Sequence, residues 1–274
     1  MSAEIPRDRW GRPLIIPPGG GKPIGYTRVS TMAKTVDDTS NLTAWKQRLT
    51  AIGIATNPHL ATRVAGVVNA HGDPISDGKR DLNAIVTEAC EAAGGSKAAS
   101  TGTALHEMTQ VLDSGADLKF VPEQWRRHLD AYMAATDGLD VLGVEEFVVI
   151  DELTAAGSLD RLYRLPDGRV VVGDLKTGKD EPRYPLGATT QIAMYAHGCR
   201  YDPTTGERAP LHPDLDVTTG LLVHLPAARD ARCDLYLLDL TAGWEVAQVA
   251  ARVHAARRLR ADDIARLYVR ASIA

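Results

Sequence analysis

Cysteine is scarce in this chain, with three among 274 residues. Cys90, Cys199 and Cys233 lie far apart and form no C-x-x-C pair, which argues against a disulfide framework, a zinc site and an iron–sulfur cluster. The odd count and the polar, charged start "MSAEIPRDRW" fit a reducing cytoplasm. Long apolar runs are also missing. None approaches the ~20 residues that a bilayer-spanning helix needs, so no membrane partner is expected. Positive charge is not in excess either, since the net charge is −4. A nucleic-acid partner would therefore be held by a local basic patch, not by a global field.

What is present suits one large globular domain with decorations, or two small ones, with 44% hydrophobic residues. Residues 1–30 are rich in Pro, Gly and Arg and read as an extended arm. From Asp37 to about Ala70 the pattern is helical, with Leu42, Trp45, Leu49 and Ile52 at helical spacing. Residues 80–93 and 99–114 read as two helices parted by "GGSK". Another runs from Pro122 to Ala135, with proline in its first turn. The period then changes: "GVEEFVVI", "GSLDRLYRL" and "RVVVGDLKT" are β-rich runs broken by turns such as "PDGR". Residues 187–200 read as a helix, "GLLVHLP" and "CDLYLLDL" as two more strands, and 242–260 as a closing helix. This order predicts an α/β fold: a central mixed β-sheet flanked by helices, with an N-terminal helical region. The expected division is an arm and helical region over 1–97 and a core over 98–274.

The stretch "VVGDLKTGKD" admits two readings. A phosphate-binding loop requires G-x-x-x-x-G-K-[ST], and neither Lys176 nor Lys179 has glycines at that spacing; Lys179 is followed by Asp180. "PPGGGKP" fails as well, because Pro23 follows Lys22. An acid–base reading survives. On a strand, Asp174 and Lys176 point to the same face. A tight "PDGR" turn would pair this strand with the preceding one and bring Asp160 close to Asp174. Two carboxylates beside a lysine make a hard oxygen site suited to Mg²⁺ or Mn²⁺. Such a cation polarises a phosphate and acidifies bound water, which the lysine orients or deprotonates.

Read in order, Gly102-x-x-x-His106, Glu145 or Glu146, Gly157-x-x-Asp160, Asp174-x-Lys176-Thr177 and Gln191-x-x-x-Tyr195 resemble the signature of RecB-like nucleases of the PD-(D/E)XK superfamily. The resemblance covers about residues 98–240. The N-terminal part also resembles the leader of nucleases encoded by actinobacterial phages. It implies a restriction-endonuclease-like core and a metal-dependent deoxyribonuclease, with exonuclease action in phage or bacterial DNA recombination, repair or processing. It assigns metal ligation to His106, Asp160, Asp174 and the Leu175 carbonyl. Catalysis falls to Lys176, Asp160, Asp174 and Glu145, with Gln191 and Tyr195 near the lysine and the DNA phosphate. Glu145 is favoured over Glu146 because the family places its acid just ahead of an apolar run.

The chain departs from iron–sulfur relatives, which need four cysteines, and it carries no helicase motif. The alternative is a non-catalytic DNA-binding or assembly subunit that kept the fold; loss of an acid or of the lysine would mark it, and all are present. A homo-oligomer or a recombination partner protein is also compatible. Six arginines between residues 251 and 270 (252, 257, 258, 260, 266 and 270) face only Asp262 and Asp263. Arg257, Arg258 and Arg260 are the candidates there for tracking phosphates, with Arg7, Arg9, Arg12, Lys22 and Arg28 of the arm in a similar role.

Overall fold

The structure is a computed structural model and describes residues 4–178, 185–227 and 230–265. Arg266 and Arg270, expected in the basic run, lie outside the described residues. The arm is extended. Its β1 (Leu14–Ile15) pairs antiparallel with β2 (Ile24–Gly25), and β3 (Thr27–Arg28) leads directly into the short helix α1 (Val29–Ala33). Three helices follow: α2 (Ser40–Thr56), α3 (Pro58–Ala70) with proline at its first turn, and α4 (Lys79–Ala92). The apolar stripe of α2 does not face the core: Leu42, Trp45 and Ile52 are exposed. The helix instead buries Gly53, where a Cβ would sit 2.0 Å from the Ala89 carbonyl oxygen of α4. Backbones that close admit no bulky stripe between them, so the large side chains turn outward.

Gly94, at φ 88, separates α4 from α5 (Gly95–Asp113), which begins four residues earlier than the pattern suggested. Next come α6 (Glu123–Thr136), β4 (Asp140–Val144), β5 (Phe147–Ile150), β6 (Ala155–Ser158), β7 (Arg161–Arg164) and β8 (Val170–Lys176). The expected 187–200 helix is shorter. α7 (Leu186–Ala196) stops, and Cys199–Tyr201 form β9, which pairs with β5. Gly198 makes that turn possible, because a Cβ there would meet Val148 Cγ1 at 2.3 Å. β10 (Arg208–Pro210), β11 (Leu215–His224), β12 (Asp234–Asp239), α8 (Leu240–Ala256) and the single turn α9 (Ala261–Ile264) close the described chain.

The fold is α/β, with two mixed five-stranded sheets of order β12-β11-β8-β7-β4 and β10-β9-β5-β6-β3. They share one long antiparallel ladder, β4–β5 against β6–β7, which is interrupted at Glu145–Glu146 opposite Leu159–Asp160. β8 lies in the middle of its sheet, parallel to β11 and antiparallel to β7. It is buried on both faces, which explains its nearly continuous apolar run. Val170 and Val172 pack toward α1, α7 and α8. Val171 and Leu175 pack on the other face with Leu105 of α5 and Tyr132 of α6. Each large aliphatic side chain so buried contributes about 1.5–3 kcal/mol. Among the described residues, no helix is long and apolar enough to cross a membrane.

Candidate metal centre

The hairpin from β7 to β8 turns at Leu165–Arg169, with Gly168 at φ 91; Leu165 N–H donates to the Arg169 carbonyl and Gly168 N–H to the Leu165 carbonyl. Its register sets Arg161 opposite Gly173, so Asp160 falls beside Asp174. The Asp160 carboxylate accepts the Leu175 N–H at 2.9 Å. Leu175 thus touches the site through its amide. Asp174 is buried, and Lys176 Nζ approaches its Oδ2 at 2.6 Å. That approach is an ion pair without hydrogen-bond geometry at Oδ2. The other oxygen, Oδ1, accepts the Gln191 side-chain amide at 3.0 Å.

Glu145 sits where the ladder parts. It is one of two non-glycine residues with positive φ among the described residues, at φ 52. Such a conformation costs about 1–3 kcal/mol and persists only where the surroundings impose it. Here the Glu145 N–H donates to the Asp160 carbonyl at 3.0 Å, and Leu159 N–H donates to the Glu146 carbonyl at 3.0 Å. The kink sends the two adjacent acids apart. Glu145 Oε1 lies 3.2 Å from His106 Nε2. Glu146 makes a two-pronged pair with Arg200 of β9, at 2.6 and 3.0 Å.

His106 comes from α5, which packs on the sheet face opposite Asp174 and meets the acids where the sheets divide. Gly102, one turn earlier, lets α5 cross the end of β8: a Cβ there would lie 2.5 Å from Thr177 Oγ1. His106 Nε2 is 3.8 Å from Asp160 Oδ2. One ligand atom each from His106, Glu145 and Asp160 falls within 4.8 Å of the others. Asp174 borders this trio on the other face and is turned toward Lys176 and Gln191. One imidazole and two carboxylates suit a hard divalent cation.

The electrostatics are those of crowded acids. The Glu145 hydrogen bond raises the His106 pKa against the effect of burial, helped by the Asp160 charge. Burial pushes the Asp174 carboxyl up to about 6; the Lys176 ammonium opposes this and the Asp160 charge adds to it. Burial would lower the Lys176 pKa, but the Asp174 carboxylate outweighs it and holds the ammonium charged. A bound cation would relieve the repulsion and keep the acids ionised.

A family model described as the PD-(D/E)XK nuclease superfamily matches residues 68–265, well over half of the chain. The chain belongs to the PD-(D/E)XK nuclease superfamily. No curated protein matches it. The matched stretch of this PD-(D/E)XK chain begins inside α3 and takes in α4. Membership brings a nuclease fold and the use of divalent metals, to which the His106, Glu145 and Asp160 group is chemically suited.

Gln191 and Tyr195 share one face of α7. Tyr195 is buried, and burial together with the Asp160, Asp174 and Glu145 charges raises its pKa well above the usual phenol range. A cleft of about 1170 Å³, lined among others by Lys34, Asp37, Leu42, Leu186, Gln191 and Lys176, opens beside the lysine. Arg12, Arg257, Arg258 and Arg260 are not among its lining residues. Arg258 donates to Thr27 Oγ1 at 3.2 Å. Arg12 lies against Gly25, and its charge acts with those of Arg257 and Arg258, after burial, to lower the His254 pKa. The arm and the end of α8 are therefore neighbours. Thr27 pairs with Ala155, five strand positions before Asp160, or about 16 Å at the usual strand rise. Arg260 is exposed, and its N–H donates to Asp263 at 2.7 Å.

A buried network next to the site was not expected from the sequence. Arg161 is 1% exposed and pairs with Asp113, the last residue of α5. Tyr132 also donates to Asp113, at 2.5 Å. Two signals pointed to it: an arginine inside the apolar run "LDRLYRL", and an acid at the negative end of a helix dipole, where it is disfavoured without a cationic partner.

The contact between Gly157 and α7 gives a direct test of this packing. A Cβ at Gly157 would sit 2.8 Å from the Tyr195 hydroxyl, and its next neighbours are at an ordinary 3.5 Å. Gly157→Ala should destabilise the protein, and Tyr195→Phe should restore part of the loss in the double variant. Denaturant melts should give a coupling of about 0.5–3 kcal/mol. Strict additivity would show that the two residues do not meet.

Proposed function

We propose that this protein is a Mg²⁺- or Mn²⁺-dependent deoxyribonuclease of RecB-like type, acting as an exonuclease on phage or bacterial DNA during recombination, repair or processing in the cytoplasm. The carrying observation is the convergence of His106, Glu145 and Asp160 beside the Asp174–Lys176 pair. In this reading residues 98–274 form the catalytic core, and the arm and helices of 1–97 border its substrate path.

His106, Glu145 and Asp160 would hold the metal, with Asp174 and the Leu175 carbonyl at its border. The cation supplies charge stabilisation to the phosphate under attack. Lys176, kept charged by Asp174 and open to the cleft, binds a phosphate oxygen and orients the attacking water. Gln191 fixes the Asp174 carboxylate and lines the cleft that would take the DNA backbone, and Tyr195 closes the wall behind it over Gly157. Arg257, Arg258 and Arg260 contact phosphates farther along the strand.

Chemistry and binding separate at Lys176. Lys176→Ala should lower cleavage of end-labelled linear DNA by about 10²–10³-fold, as loss of one preorganised charge does. Its affinity for DNA should stay within a few-fold, and EDTA should abolish wild-type cleavage. Equal losses of rate and affinity would make Lys176 a binding residue. Circular DNA should resist digestion if an end is required.

The basic patch has its own signature. Replacing Arg257, Arg258 and Arg260 by Ala should weaken binding more than it slows turnover at saturating DNA. It should also flatten the log–log salt dependence of affinity by about 0.7–0.9 for each phosphate contact removed. An unchanged slope would leave these arginines as a solvated helix end.

A further inference from the structure

Arg161 carries a charge that the proposed chemistry does not use. Its guanidinium is buried between β7 and α5 and reaches the main chain of two proposed metal ligands. Nη1 donates to the carbonyl oxygen of Asp160 at 2.8 Å. Nη2 lies 3.4 Å from Thr109 Oγ1, and that hydroxyl donates to the carbonyl of His106 at 2.9 Å. Nε donates to Asp113, one helical turn beyond Thr109. One rigid, planar fork thus grips the backbone at Asp160 directly and the backbone at His106 through a single hydroxyl.

The two ligands come from different elements on different sides of the sheet, 54 residues apart in sequence. Nothing in their local backbone sets the 3.8 Å between His106 Nε2 and Asp160 Oδ2. Glu145 bridges them at the site, bonding His106 and the Asp160 carbonyl, and Arg161 ties β7 to α5 behind it through Asp113 and Thr109. Tyr132 buttresses the far end, donating to Asp113 and meeting the Tyr163 hydroxyl at 3.2 Å. We infer that Arg161, braced by Asp113 and Thr109, is the positioning residue that sets the separation of His106 and Asp160 and so tunes the metal affinity of the site. This rests on the metal reading proposed above.

A purely structural arginine would be replaceable by lysine at the cost of some stability, with the metal site unchanged. A positioning fork would not, because an ammonium keeps the charge but cannot span three acceptors in one plane. The experiment is a Mn²⁺ titration, followed by calorimetry or by the electron paramagnetic resonance of the free ion. It compares the wild-type chain, Asp160→Ala and Arg161→Lys, with thermal melts and metal-free DNA binding measured alongside. Arg161→Lys should weaken Mn²⁺ binding about 10–100-fold, as loss of a ligand's supporting partner does, with metal-free DNA affinity unchanged. If that variant does not fold, Thr109→Val carries the test. It removes only the hydroxyl that links Arg161 to His106, and it should weaken Mn²⁺ binding at least several-fold in a folded protein. Wild-type Mn²⁺ affinity in whichever of the two folds would overturn the inference, as would an equal loss of metal-free DNA binding. A wild type that binds no Mn²⁺, or binds it as well after Asp160→Ala, would instead sink the metal reading itself.

Discussion

The left-handed backbone at Glu145 is the constraint on which the rest of the site depends. A regular ladder would continue from β4 into β5 with successive side chains alternating across one sheet. The kink divides that ladder in two, with β4 and β7 on one side and β5 and β6 on the other. It also turns Glu145 toward His106 and leaves Glu146 to pair with Arg200. The opening admits a histidine from a helix that packs on the other face of the sheet. The conformational cost at Glu145 is offset by its own N–H bonding to the Asp160 carbonyl, so the strained residue and the acid it serves are tied together.

The second constraint is charge. Three carboxylates, Glu145, Asp160 and Asp174, gather at one point, Asp174 buried and the other two partly so, and buried acids are tolerated only when paired or hydrogen-bonded. Each has an identified partner: His106 for Glu145, the Leu175 N–H for Asp160, and Lys176 with Gln191 for Asp174. The Asp174 carboxyl is nevertheless pushed up to about 6, chiefly by burial. A site that carries its acids at this cost is poised to favour a divalent cation. The same pairing keeps Lys176 charged and aimed at the cleft, which suits a phosphate better than it suits a proton to be removed.

Much of this was legible in the sequence where it depends on local chemistry. The "PDGR" turn predicted the hairpin, and the two-residue offset of Asp174 and Lys176 predicted their shared face. The glycines of Gly102-x-x-x-His106 and Gly157-x-x-Asp160 have physical reasons in Thr177 and Tyr195, which leave no room for a Cβ. What was not legible depends on distant contacts. The apolar stripe of α2 suggested a buried face, but the close approach of Gly53 to Ala89 turned it outward. The helix ending at Ala196 read as longer because β9 takes its pairing from β5, some fifty residues upstream. The bond between Arg161 and Asp113 spans 48 positions, and neither residue has a local pattern that names the other.

In the proposed site His106, Glu145 and Asp160 hold one metal ion, with Asp174 at its border. Anomalous scattering from crystals soaked in Mn²⁺ tests it most directly. One peak is expected within about 2.0–2.6 Å of ligand atoms from His106, Glu145 and Asp160, lost in Asp160→Ala crystals. A peak held elsewhere on the chain, or one that survives without Asp160, would contradict it.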